Sequence, residues 1–222
     1  MGSARTAAAM IPADALQRFV GHLLPMLPED FAGAVAALDL KLLNLAPGRL
    51  PVCRFWKKAM AGGLPLLVPL AALEPSLRWV QNPNYVAAPP DPAFLENYGY
   101  AVLAGPGGLI ETGALALGLL LLGPGTHYPT HRHPAVEIYV VASGEGEWHM
   151  GEGPWRRRPA GDVIRHESMV PHATRALADP LLAVYVWRGD LDTHARITGA
   201  FSADPPTQLH CFGGPTPDPP KP

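Results

Sequence analysis

The stretch His131-Arg132-His133-Pro134-Ala135-Val136-Glu137-Ile138-Tyr139 decides how the rest of the chain is read. Two histidines at i and i+2 project from one face of a strand, about 6–7 Å apart along the backbone. Their imidazoles can converge on one ion through bonds of roughly 2 Å. Glu137 lies four residues beyond His133, about 13 Å away on a straight strand, so it shares that ion only if the chain bends. Pro134 and Ala135 sit where the bend is needed. Glu137 then opens the next strand and returns beside the histidines. Tyr139, two residues on, points the same way, with its hydroxyl aimed at the open side of the ion. A fourth ligand has to come from elsewhere, and His172, in Val170-Pro171-His172 after a predicted strand over 162–166, is the best candidate. His-x-His alone reads as two surface histidines; the glutamate and the later Pro-His turn the reading toward a metal site. Three histidines and one glutamate suit a divalent transition ion such as Zn, Fe, Mn or Ni, and the sequence does not choose among them.

Outward from this cluster, the texture after about Tyr98 is that of short strands. The runs Leu115–Leu122, Ile138–Val141, Val163–Ile164 and Leu182–Trp187 are bounded by Gly, Pro and Asp at short intervals, which predicts a small antiparallel barrel or sandwich over 98–211. Residues 1–97 read as a helical extension. Leu16, Phe19, Val20, Leu23 and Leu24 recur at helical spacing until Pro25 and Pro28, and Phe31, Val35, Leu38, Leu42 and Leu43 predict a second helix closed by Pro47-Gly48. The segment from Pro51 to Pro75 predicts short helices, and the breakers of 82–92 separate the two parts. The leucine-rich helical faces need burial, against the barrel or against a partner in a homodimer. The tail 212–222, with Gly213, Gly214 and repeated Pro, predicts disorder.

Composition excludes several classes. Among 222 residues, 17 are basic and 19 acidic, for a net charge of −2, so the basic footprint of a nucleic-acid binder is missing. The longest apolar run, Gly113 to Gly123, is about half the roughly 20 residues a membrane-spanning helix needs. Cys53 and Cys211 cannot build a disulfide scaffold. Together these predict a soluble chain in a reducing, cytoplasmic setting. Of the remaining histidines, His127 and His166 read either as groups that support the metal ligands from behind or as ordinary polar residues, and the ordinary reading is preferred. His22, His149, His194 and His210 carry no functional reading, and Arg156-Arg157-Arg158 reads as a solvated turn.

The spacing Gly125, five residues, His131-x-His133, three residues, Glu137, six residues, Gly144 resembles the first motif of the cupins. Gly153, five residues, Pro159-x-Gly161 and on to His172 resembles the second, without the asparagine that often follows the histidine. This resemblance implies a double-stranded β-helix barrel with a metal inside. Within the cupins, Tyr128, His131-x-His133, Glu137-x-Tyr139, Pro171-His172 and Trp187 look like the cupin-type dimethylsulfoniopropionate (DMSP) lyases, some of which also carry a helical segment before the barrel. The resemblance implies His131, His133, Glu137 and His172 as metal ligands, with His131 also near the substrate. It implies Tyr139 as the catalytic base, Tyr128 and Trp187 as pocket residues, and a small zwitterion as substrate. The plainer readings stay open: Tyr139 as a buried tyrosine bonded to a carbonyl, and Tyr185 and Trp187 as core. So do an Fe-dependent dioxygenase on the same ligands and a cupin that only binds a small molecule.

Overall fold

The computed structural model describes residues 12–198; the predicted tail lies outside them. Two antiparallel sheets form the body. Strands β1 (Trp79–Val80), β2 (Tyr98–Ala104), β3 (Ala116–Leu122), β5 (Val136–Ser143), β8 (Val163–His166) and β10 (Leu181–Arg188) make a six-stranded sheet in the order β1-β2-β3-β10-β5-β8. Strands β4 (His127–Arg132), β6 (Glu145–Met150), β7 (Arg156–Pro159), β9 (His172–Ala176) and β11 (Arg196–Ile197) make a five-stranded sheet in the order β11-β4-β9-β6-β7. Two facing antiparallel sheets preceded by helices are the layout expected of a double-stranded β-helix.

Strand β3 explains how the layers are arranged. All seven of its residues are buried, and its near-continuous leucine run is what a strand covered on both faces looks like. Leu117, Leu119 and Leu121 point outward, where they join Ile138, Val140 and Ala142 of β5 and Leu182, Val184 and Val186 of β10. The helical part covers this outer face: α1 (Pro12–Leu23) through Leu16, Phe19 and Leu23, α2 (Glu29–Ala36) through Phe31 and Val35, and α3 (Trp56–Ala61) through Trp56 and Ala59. Each such leucine taken fully out of water contributes about 1.5–3 kcal/mol. The inner face is different in kind. Tyr98 (β2), Leu120 (β3), Tyr139 (β5) and Tyr185 (β10) face Tyr128 (β4), Trp148 (β6) and Ala176 (β9) across the barrel.

Two expectations are corrected. The second helix stops at Ala36 instead of running toward Pro47. Beyond it Leu38, Leu40 and Leu42 are half-buried and pack on the core, while Asp39, Lys41 and Leu43 are exposed. That period-2 alternation describes an extended segment, and Leu43 N donates to Leu109 O at 2.7 Å. Arg156-Arg157-Arg158 forms edge strand β7 instead of a turn. Exposed arginines there discourage pairing with another sheet edge.

The helical part reaches the open end of the barrel through α4 (Pro83–Ala87) and α5 (Phe94–Asn97). Asn82 caps α4 by accepting from Asn84 N at 2.9 Å, and its amide donates to Ala195 O at 2.9 Å in the loop after β10. Tyr85 and Phe94 are thereby packed against Tyr98 and Tyr128.

Candidate metal centre and cavity

Strand β4 is irregular where it matters. Its pairing with β9 shifts register between Tyr128 and His131, around Pro129, which has no N–H to give to the ladder. The shift turns both Tyr128 and His131 inward, where their rings stack at 4.1 Å. The chain turns at Pro134-Ala135 and β5 begins, so His131, His133, Glu137 and His172 all lie between the sheets at one end of the barrel. Each is at most 2% exposed. The His131 and His172 rings are 4.2 Å apart, and His133 and His172 are 5.0 Å apart. The Nε2 atoms of His133 and His172 each lie 3.4 Å from Glu137 Oε2.

The tautomers follow from the neighbours. His131 Nδ1 contacts Pro129 O at 2.8 Å, His133 Nδ1 contacts Ala135 O at 3.0 Å, and His172 Nδ1 contacts Val170 O at 2.9 Å. A carbonyl only accepts, so each Nδ1 carries the proton and donates it, leaving Nε2 as the free lone pair. His133 Nε2 and His172 Nε2 are buried without a hydrogen-bond partner. Burial, with His172 nearby, pushes the His131 pKa well below its usual value, so that ring stays neutral. Burial alone would raise the Glu137 pKa, but the contacts from His133, His166 and His172 outweigh it and hold the carboxyl well below the usual range. The Nε2 atoms of His133 and His172, with Nδ1 already bonded to the main chain, face the Glu137 carboxylate at 3.4 Å, an arrangement that a bound cation would favour. The donors fit a divalent ion: the ligand atoms of His131, His133 and His172 lie within 4.8 Å of one another, and so do those of Glu137, His166 and His172.

For His166 the sequence offers a role behind the metal ligands but favours the ordinary reading, and the structure reverses that preference. This histidine closes β8, whose alternating burial puts Ile164 and His166 inside, and it sits directly opposite Glu137 in the β5–β8 register. Its Nδ1 lies 2.9 Å from Glu137 Oε2, and its ring stacks on His172 at 3.8 Å. Burial pushes its pKa down to about 4. It therefore belongs to the cluster and is not an ordinary polar residue. Period-2 alternation onward from Ile164 was the one signal that placed it inside.

Trp187 has a second role besides lining the cavity. On β10 it is the register partner of Glu137, its indole Nε1 donates to Glu137 Oε1 at 2.5 Å, and its ring stacks on His133 at 4.1 Å.

A cavity of about 140 Å3 opens onto Glu137, with Tyr98, Tyr100, Tyr128, Tyr139, Tyr185 and Trp187 among its walls. His131 stands behind the Tyr128 ring. Tyr185 lies across Gly118 of β3, where a Cβ would come within 2.4 Å of its hydroxyl; glycine at that position makes room for the phenol. The exposed His194 and the buried Asn82 sit toward the helix-capped side. Burial, then the charge of Glu137, pushes the Tyr139 phenol well above its usual pKa. No helix among the described residues is long and apolar enough to cross a membrane.

Comparison with known proteins places these features. Residues 34–183 match the family model described as dimethylsulfoniopropionate lyase. The chain is 40% identical over 105 residues to the dimethylsulfoniopropionate lyase DddQ of Ruegeria pomeroyi, a match covering 47% of this chain and 52% of that protein. It is 29% identical over 97 residues to the putative dimethylsulfoniopropionate lyase DddL of Cereibacter sphaeroides, covering 44% of this chain and 41% of the relative. The matches thus span about half the length of these curated relatives, or less. The crystal structure of DddQ from Ruegeria pomeroyi superposes with a TM-score of 0.72 at 28% identity, over 87% of this chain and all of that one.

Proposed function

The chain belongs to the dimethylsulfoniopropionate lyase family, and we propose that it cleaves DMSP to dimethyl sulfide and acrylate at a metal centre held by His131, His133, Glu137 and His172. The observation that carries this reading is the convergence of buried, main-chain-oriented Nε2 lone pairs and one carboxylate at the wall of an aromatic cavity.

The substrate is a short zwitterion, anionic at one end and a sulfonium at the other. The cavity suits both ends. Its wall at Glu137 adjoins the metal-ligand cluster, and the faces of Tyr98, Tyr100, Tyr128, Tyr185 and Trp187 can hold a methylated cation, at about 0.5–2 kcal/mol per contact. In the reaction, Tyr139 takes the proton from the carbon next to the carboxylate. The electron pair of that C–H bond forms the new C=C bond, and the C–S bond breaks with its pair leaving on neutral dimethyl sulfide. A bound divalent ion would supply a Lewis acid for the substrate carboxylate and a positive charge that favours the Tyr139 phenolate. The fold confines Tyr139 for this role: its ring is buried between Trp148 and His166, and it lines the cavity beside Glu137. Trp187 and His166 hold Glu137 from either side, which fixes the end of the cavity where the carboxylate docks.

The test is dimethyl sulfide release, read by gas chromatography, from protein loaded in turn with Zn, Fe, Mn or Ni. The Tyr139→Phe variant keeps the ring and loses the hydroxyl. It should bind metal normally and lose about 10²–10⁴-fold in kcat, the usual contribution of a general base. Full turnover by that variant removes Tyr139 from the mechanism. Oxygen uptake without dimethyl sulfide, under every metal, hands the site to dioxygenase chemistry.

A further inference from the structure

We infer that His166 is a positioning residue of the metal centre: its Nδ1–H holds Glu137 Oε2 in place, while ligation falls to His131, His133 and His172. This rests on the metal-site reading above and deepens it.

The four clustered histidines are wired in two ways. His131, His133 and His172 each spend Nδ1 on a main-chain carbonyl two residues away, which turns Nε2 to the centre. His166 spends Nδ1 on the carboxylate, at 2.9 Å. An ionised carboxylate only accepts, so His166 is the donor there. The two nitrogen lone-pair directions of an imidazole diverge across the ring. With Nδ1 facing Oε2, the Nε2 lone pair of His166 points away from any ion that Oε2 binds. His166 Nε2 is buried without a hydrogen-bond partner, as are the Nε2 atoms of His133 and His172, and Glu137, His166 and His172 also offer ligand atoms within 4.8 Å of one another; what sets His166 apart is that its Nδ1 faces the carboxylate and not a main-chain carbonyl. Stacking on His172 at 3.8 Å and 19° resists ring rotation that would exchange the two nitrogens.

The register gives the device its symmetry. Glu137 lies on β5 between β10 and β8, and its direct neighbours on those strands are Trp187 and His166. One donates to Oε1 and the other to Oε2. Each oxygen keeps a further lone pair for an ion, and the carboxylate cannot swing. Partners of this kind orient metal ligands and typically matter at about 10–100-fold in affinity.

The experiment compares wild type, His166→Leu, His166→Asn, His166→Gln and His172→Ala, stripped of metal and titrated with Co(II) against a competing chelator, with the visible Co(II) spectrum recorded. Asparagine places its amide nitrogen where Nδ1 was; glutamine places it nearer Nε2. His166→Leu should weaken Co(II) binding about 10–100-fold, and His166→Asn should recover to within about threefold of wild type. Its Co(II) band should keep the wild-type shape, whereas His172→Ala changes it. His166→Gln should bind more weakly than His166→Asn, a comparison between two polar variants that survives if the leucine variant does not fold. The inference is overturned if asparagine does no better than glutamine, or if the His166→Asn band changes as the His172→Ala band does, which marks a ligand. Unchanged affinity in His166→Leu overturns it alone. Failure of the wild type to bind Co(II) overturns the metal-site reading and this inference with it.

Discussion

Replacing Trp187 by phenylalanine isolates one hydrogen bond in the centre. The indole N–H donates to Glu137 Oε1 at 2.5 Å, and phenylalanine keeps a six-membered ring able to stack on His133, now 4.1 Å away, while removing the donor. A hydrogen bond to a charged group contributes about 1.5–3 kcal/mol. The single variant also loses apolar area, so the quantity to read is the coupling in a cycle with Glu137→Leu, which deletes the carboxylate and keeps a branched side chain. Both residues are in direct contact, so their effects should not add. Denaturant unfolding of the metal-free protein, followed by circular dichroism at neutral pH, should give a coupling of about 1.5–3 kcal/mol. The Glu137→Leu variant alone tests a separate point, because replacing a buried charge by an apolar group often leaves stability unchanged or raised, and such a result would fit the proposed ligand role of the carboxylate. A coupling under about 0.5 kcal/mol, within ordinary additivity, would refute the claim that Trp187 clamps Glu137.

Two further outcomes follow from the same geometry. A divalent ion that binds the folded centre should raise the melting temperature: at 100 times its dissociation constant the gain is about 2.7 kcal/mol, or roughly 5–10 °C for a chain of this size, and no shift with Zn, Fe, Mn or Ni in differential scanning fluorimetry would count against the site. Without metal, acid should destabilise the fold between about pH 6.5 and 4. His166 binds a proton in the unfolded chain near 6.5 but in the folded one only near 4. Over that window the unfolded state therefore carries the extra proton and is favoured as pH falls, by roughly 3 kcal/mol once the lower pKa is passed. Equilibrium unfolding of His166→Asn should lack that part of the slope.

What could be read from the sequence was whatever local chemistry dictates. His-x-His followed by Pro-Ala and Glu-x-Tyr requires a bend and a return, and the chain bends at Pro134-Ala135 and returns as β5. The leucine run ending at Leu122 reads as a strand, and β3 occupies it. What could not be read depends on register and on competing periods. His166 looks like any strand-end histidine until β8 is paired with β5 and sets it opposite Glu137. Trp187 reads as core or cavity wall until β10 sets it opposite the same residue. Leu38 and Leu42 fit a helix about as well as a strand over so short a stretch, and the surface they meet decided the matter.

The placement of Glu137 also explains why the helical part matters to a site it does not supply. A carboxylate that must face three imidazoles is best carried on a strand that cannot shift. Strand β5 is interior in its sheet, with β10 on one side and β8 on the other. Its outward residues Ile138, Val140 and Ala142 are fully buried in the cluster shared with α1, α2 and α3. At the sheet edge, Arg165 of β8 pairs with Asp30 of α2 at 2.8 Å, and both Arg165 and Arg188 lie over Phe31. The strand carrying His166 and the strand carrying Trp187 are thus tied to the same helix. Site geometry is sensitive to displacements of about half an ångström, and here the strands of the two donors that hold Glu137 are braced by these contacts with α2 on the outer side of the sheet. The helical cover therefore contributes to the precision of the centre as well as to its burial.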